Sequence, residues 1–364
     1  MPGIPLASIP DRVNTTLNDL NKGNIGATYK YSDYISLRLI WGTGGASEAI
    51  KGGSQWEKRM RMRASTSTRM TRFMEGTPYN RTALTEVIKF DWRNIEDKSI
   101  VYDDRDELFQ KEPQAIIDEL SDVMKPGAEE GFANLLEDQT FGSPSNSSDD
   151  TSLAGLRFLA GWVVSGSTDT TGGFNGQTTY YADATSTTTV GNIDASLAKN
   201  RNWRPFVATH SGSFDTTCRQ TLRRALTVAN FRGIQGKAVD KSGRPGGKWV
   251  VFLNTTFALS YEDDANKGSD DLEGDLSKFN GQLYFRSTPL IRVEALDADA
   301  YSPIIGIYTK YVYGLRARDM WMYYSKPTQV SVENNHTWVQ PLDATCALVC
   351  ENRRAGIFNI HLGR

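Results

Sequence analysis

Cysteine and histidine are scarce, and neither sign of charge dominates. The 364-residue chain has only Cys218, Cys346 and Cys350, and only His210, His336 and His361. Three cysteines are too few for a disulfide framework, so free, buried thiols in a reducing compartment are expected. Cys346 and Cys350 lack zinc-knuckle spacing and a nearby histidine pair. On the strand expected there, Cys346, Leu348 and Cys350 share one face and read as core packing. No run of about 18 apolar residues exists, so no membrane span is expected. A formal net charge of −2 argues against a protein that grips nucleic acid through its phosphates. Met1–Pro10 has three prolines and no basic run, so no secretory signal is expected there. No fixed-period repeat is present. Apolar content of 39% and charged content of 23% fit a folded protein rather than a disordered one.

Enzymatic constellations are equally thin. His210 has Ser211, Ser213 and Asp215 beside it, but side chains this close in sequence rarely converge as a triad. A turn leading into a helix cap is the better reading. Gly45-Ala-Ser-Glu-Ala49 lacks the final glycine of a nucleophile elbow. Asp263, Asp264, Asn266, Asp270, Asp271, Glu273 and Asp275 form an acidic loop that misses the third ligand of a calcium loop. Gly42-Thr-Gly-Gly45 and Gly243-Arg-Pro-Gly-Gly-Lys248 match no phosphate-binding fingerprint and read as turns. No catalytic, cofactor-binding or metal residue is assigned.

What the chain does have is charge in two opposed blocks. Lys58, Arg59, Arg61, Arg63, Arg69 and Arg72 face only Glu57, a net of +5 over 57–72. Residues 103–138 carry a net of −9. One-sided blocks call for a partner of opposite sign, and here the chain supplies both, which points to self-assembly. Met60, Met62, Met70, Phe73 and Met74 interleave the bases and suit an adaptable contact surface.

Residues 1–36 read as a polar arm with a short helix at Val13–Leu20. Residues 37–98 read as a long hairpin, with Leu37–Trp41 and Thr85–Trp92 as strands and period-two alternation over Arg59–Arg63. Residues 105–138 read as a long acidic helix that Lys125-Pro126-Gly127 kinks or interrupts. Residues 143–200 are Ser-, Thr- and Gly-rich, with Leu156–Val164 apolar enough to pack. Short strands are expected at Tyr180–Ala182 and Thr187–Val190. Beyond 203, Asp215 caps a helix to Phe231. Trp249–Leu253, Gln282–Phe285, Leu290–Val293 and Ile304–Tyr313 read as strands, and Phe257–Asp264 as a helical turn. Gln329–Val332, Thr337–Pro341, Ala344–Cys350 and Gly356–His361 suggest a terminal antiparallel sheet.

This element order, with several local motifs, resembles tailed-bacteriophage major capsid proteins of the HK97-like fold. The motifs are Gly191-Asn-Ile-Asp-Ala-Ser196, Asn202-Trp203-Arg204-Pro205, Phe279–Asp297, Ile305–Tyr313 and Val339–Arg354. The resemblance covers residues 30–364 and implies an α+β fold. In it, residues 1–36 are an N-terminal arm and 37–98 an extended hairpin loop. Residues 99–140 and 325–364 are a peripheral domain with a spine helix, and 141–324 an axial domain. No long helical N-terminal extension is present, so a separate scaffolding protein or none is expected, and Met1 argues against maturation cleavage.

The implied function is a non-enzymatic shell subunit. It forms hexamers and pentamers of an icosahedral phage head around double-stranded DNA, without binding that DNA tightly. Portal and decoration proteins, and a separate scaffolding protein where one is used, are the partners the resemblance allows, with no cofactor and no membrane. The implied location is the virion, with assembly in the host cytoplasm. The hairpin of one subunit would lie over the spine helix of the next. Candidate contact residues are Lys58, Arg59, Arg61, Arg63, Arg69, Arg72, Met60, Met62 and Phe73 on one side. Opposite them stand Asp118, Glu119, Asp122, Glu129 and Glu130. Some relatives crosslink a hairpin lysine to an asparagine. Lys51 and Lys58 lie in the hairpin, but no partner asparagine is assigned. Two other readings stay open: an encapsulin-like compartment, and a β-rich carbohydrate-binding or hydrolytic protein motivated by region 160–190 and the acidic loop.

Overall fold

The computed structural model describes residues 34–42, 47–50, 53–63, 70, 72, 85–103, 124–163, 173–229, 247–267, 276–279, 282–330 and 336–363. The helix expected at Val13–Leu20, the first part of the acidic helix and most of the acidic loop lie outside the described residues. The chain divides into two units. One comprises Asn94–Leu135 and Asp319–Ala344, and the other Ser32–Arg93, Leu136–Arg318 and Thr345–Arg364.

The larger unit is built on a seven-stranded mixed sheet. Its strand order is Phe206–His210, Ile357–Leu362, Ile304–Tyr308, Trp249–Leu253, Thr288–Arg292, Gln282–Phe285, Leu276–Phe279. The first pair and the pair Trp249–Leu253 with Thr288–Arg292 are parallel; the others are antiparallel. Near-continuous apolar runs such as Val250–Leu253 and Ile304–Ile307 are buried, as central strands require. The helix Thr216–Ala229 packs Cys218, Leu222 and Ala225 into this core, and Thr255–Lys267 adds Phe257 and Tyr261. Both have side-chain caps: Asp215 Oδ1 accepts from Cys218 N at 2.7 Å, and Asn254 Oδ1 from Phe257 N at 2.9 Å.

A second sheet in this unit pairs Glu48–Ile50 in parallel with Val312–Ala317, which pairs antiparallel with residues 346–350. Ile304–Tyr313, expected as one strand, is therefore two. Ile304–Tyr308 and Val312–Ala317 belong to different sheets, and a turn closed by Tyr311 N to Tyr308 O at 2.9 Å separates them. The expected terminal antiparallel sheet is likewise divided. Leu342–Cys350 joins this second sheet, while Ile357–Leu362 enters the seven-stranded one.

Leu37–Trp41 is not a strand: Ile35–Ile40 is a helix. Leu37, Ile40 and Trp41 follow three- and four-residue spacing and are buried. Ser36 Oγ donates to Glu137 Oε1 at 2.7 Å, and Trp41 Nε1 to Thr140 Oγ1 at 2.9 Å. The hairpin is accordingly shorter than 37–98, with strands Gln55–Arg61 and Thr85–Asp91.

The smaller unit holds the three-stranded sheet Thr328–Gln329, Thr337–Val339 and Val101–Asp103. The described part of the long helix is Lys125–Phe141, reaching past the expected Asp138. From Lys125 to Phe141 the helix is continuous; what Lys125-Pro126-Gly127 does to the stretch before it lies outside the described residues. Phe132 is buried edge-on against Trp321, ring centroids 5.8 Å apart. No helix among the described residues is long and apolar enough to cross a membrane.

Candidate subunit interface

The hairpin register sorts its side chains onto two faces. Trp56 opposes Phe90, Lys58 opposes Ile88, and Met60 opposes Glu86, so even-numbered residues share one face. Glu57 opposes Lys89, Arg59 opposes Val87, and Arg61 opposes Thr85 on the other.

The even face is turned to its own unit. Ile88 and Phe90 are buried, and Lys89 N donates to Gly191 O at 3.1 Å. Gly191 has φ +59, and a Cβ there would lie 3.1 Å from Ile88 and 3.2 Å from Phe90, so a glycine lets the chain approach this closely. Lys58 Nζ reaches Glu351 Oε1 at 2.6 Å, and Tyr313 OH donates to the same oxygen at 2.5 Å. Glu351 is only 7% exposed. Met62, expected as an exposed contact, is instead 1% exposed, and its carbonyl accepts from Asn202 Nδ2 at 2.6 Å. Arg63 Nε donates to Lys199 O at 2.9 Å, and Glu86 Oε1 lies between Arg63 Nη2 at 3.6 Å and Lys199 Nζ at 3.4 Å.

The odd face is different. Arg59 and Arg61 are exposed and form no ion pair with a described residue. Nearer the base, Glu57 pairs with Lys89 at 2.8 Å, and the Lys89 hydrogen bond holds its carboxyl below the ordinary range. Met60 is half-buried and Arg72 exposed. Arg69, Phe73, Asp118, Glu119 and Asp122 lie outside the described residues.

Glu129 and Glu130 belong to the smaller unit. Glu129 is exposed and accepts from Tyr324 OH at 2.7 Å; Glu130 is half-buried. Lys125 Nζ sits 5.7 Å above the Tyr324 ring. Burial first, and then Glu129, push the Tyr324 phenol well above its ordinary value.

Sequence reasoning missed Glu351, Glu86, Lys199 and Asn202. No local pattern marks them, because they meet the hairpin only through long-range folding. Asn202 and Glu351 lie inside the motifs Asn202-Trp203-Arg204-Pro205 and Val339–Arg354, and Glu86 inside the expected strand Thr85–Trp92, but none of these signals pairs them with the hairpin bases.

The His210, Ser211 and Asp215 side chains do not converge as a triad. His210 Nε2 bonds Ser302 O at 2.9 Å and its Nδ1 accepts from Gly212 N at 3.0 Å, so backbone occupies both ring nitrogens. Ser211 Oγ donates to Asp215 Oδ2, not to the imidazole. No cluster with metal-ligand composition is found among the described residues.

No family model matches the chain, and no curated protein sequence matches it. Solved structures do match in fold. The Cyanophage A-1(L) capsid subunit aligns over 95% of this chain and 98% of its own, with TM-score 0.58 and 14% identity. The capsid of the native GTA particle aligns over 95% of both chains, with TM-score 0.54 and 12% identity. The SrpI encapsulin of Synechococcus elongatus PCC 7942 aligns over 96% of this chain and 93% of its own, with TM-score 0.50 and 8% identity. The chain has the α+β HK97-like capsid fold that these shells share.

Proposed function

We propose that this chain is a major capsid protein, a non-enzymatic subunit that assembles into hexamers and pentamers of an icosahedral phage head. The observation that carries this reading is the full-length fold match to capsid subunits, over 95% of this chain and 98% of the Cyanophage A-1(L) one. A shared fold alone does not give function, so the charge pattern matters as a second support. The distal odd face of the hairpin is basic, while residues 103–138 carry a net of −9. A neighbour's hairpin over this acidic stretch makes a heterologous contact that capsomer symmetry closes. Exposed ion pairs contribute about 0–1 kcal/mol each, so they set register more than total stability. The enclosed cargo is double-stranded DNA, held loosely by a chain of net charge −2.

The same fold in the Synechococcus encapsulin favours a second reading, a compartment shell that encloses protein. Contents discriminate the two. Particles from the native source are treated with nuclease and then opened. Protected double-stranded DNA of uniform length is expected; a protein cargo without DNA would favour the compartment.

A further inference from the structure

The hairpin's two faces divide its work. We propose that the even face is a latch that holds the hairpin on its own subunit, leaving Arg59 and Arg61 as the face offered to an acidic surface of a second copy of this chain. The second half rests on the shell reading; the latch does not.

The latch has three fastenings along the hairpin: Lys58 on the even face, and the Met62 carbonyl and Arg63 just past the strand's end at Arg61. Lys58 reaches a buried carboxylate, Glu351, which Tyr313 holds in place from the sheet strand Val312–Ala317. Further out, Asn202 donates to the Met62 carbonyl while its own Oδ1 accepts from Arg354 Nη1 at 2.7 Å. Beside it, Glu86 joins Arg63 to Lys199 across the hairpin and the segment 198–203. A two-stranded hairpin is marginal by itself, so these contacts, with buried Ile88, Phe90 and Met62, fix its direction before any neighbour arrives. Arg59 and Arg61 then stand side by side on one face, two residues apart on one strand. A preformed basic face avoids the ordering cost that a free hairpin would incur on docking.

This reading changes which cations can pair between subunits. Lys58 and Arg63 are already engaged at home, so the outward bases of the strand Gln55–Arg61 are Arg59 and Arg61.

Hydrogen exchange on the full-length chain, at a concentration where it is unassembled, tests the latch independently of shell formation. In Lys58→Met/Glu351→Gln, amides of 55–61 and 85–91 should exchange about tenfold faster, with 249–253 and 304–308 unchanged. If that variant also loosens the core strands, Asn202→Ala replaces it and should give the same localised rise. Unchanged hairpin exchange in the variant with an intact core overturns the latch. Arg59→Glu/Arg61→Glu should leave hairpin exchange as in wild type and weaken assembly or misdirect it. Wild-type assembly by that variant overturns the assignment of the odd face. Failure of the wild-type chain to assemble counts against the shell reading and leaves the exchange result standing.

Discussion

The three thiols show how burial decides chemistry at single residues. Cys218, Cys346 and Cys350 are fully buried, and burial pushes each thiol from the ordinary 9.0 up to about 12. The thiolate is the reactive form, so these groups are inert while the chain is folded. At pH 8 the native protein should take up no thiol reagent, and three equivalents should react in guanidinium; a fast native equivalent would show that the core is open. Gly306 is a second such position. It lies in a central strand, and a Cβ there would stand 2.1 Å from the Phe358 ring. Gly306→Ala should lower stability by about 1–3 kcal/mol in urea unfolding. An unchanged midpoint would mean that Phe358 can move aside.

At the scale of elements, caps and period carry most of what the sequence discloses. Asp215 was readable as a cap, and it is one. The Cys218 N–H lowers its pKa first, the Ser211 hydroxyl next. A lowered carboxyl pKa makes the cap's contribution complete above the ordinary 3.8 and lost as pH falls through the folded value. Asp215→Ala should cost about 1 kcal/mol at pH 7, and the gap to wild type should shrink toward pH 2 in thermal unfolding. Trp249–Leu253 was legible to the residue and Thr85–Asp91 to within one, whereas the alternating strand begins at Gln55, four residues before the alternation at Arg59–Arg63. Ile35–Ile40 was not, because its β-branched ends outweighed a spacing of only one and a half turns. Ile304–Ala317 was divided by a turn without proline or glycine, so no local mark showed the break. The candidate interface was legible as a basic alternating strand. Its division into a home face and an outward face was not, since Glu351, Lys199 and Asn202 arrive from far along the chain.

For the whole molecule, charge placement matters more than charge total. A net of −2 conceals a basic hairpin and a strongly acidic stretch. If these meet between subunits, assembly weakens as added salt shortens the Debye length to a few ångströms, about 3 Å at 1 M. Apolar contacts persist under those conditions and account for whatever assembly remains. The smaller unit exposes Val101, Leu135, Met320, Tyr323 and Val330, five large apolar side chains that a shell contact would remove from water. The central claim is that copies of this chain close into a shell. The most direct test is electron microscopy of the purified full-length protein over a range of concentration and salt, with sedimentation of the same samples. The account predicts closed particles of uniform diameter with five-fold vertices; a monomer under every condition, with no particle ever seen, would contradict it.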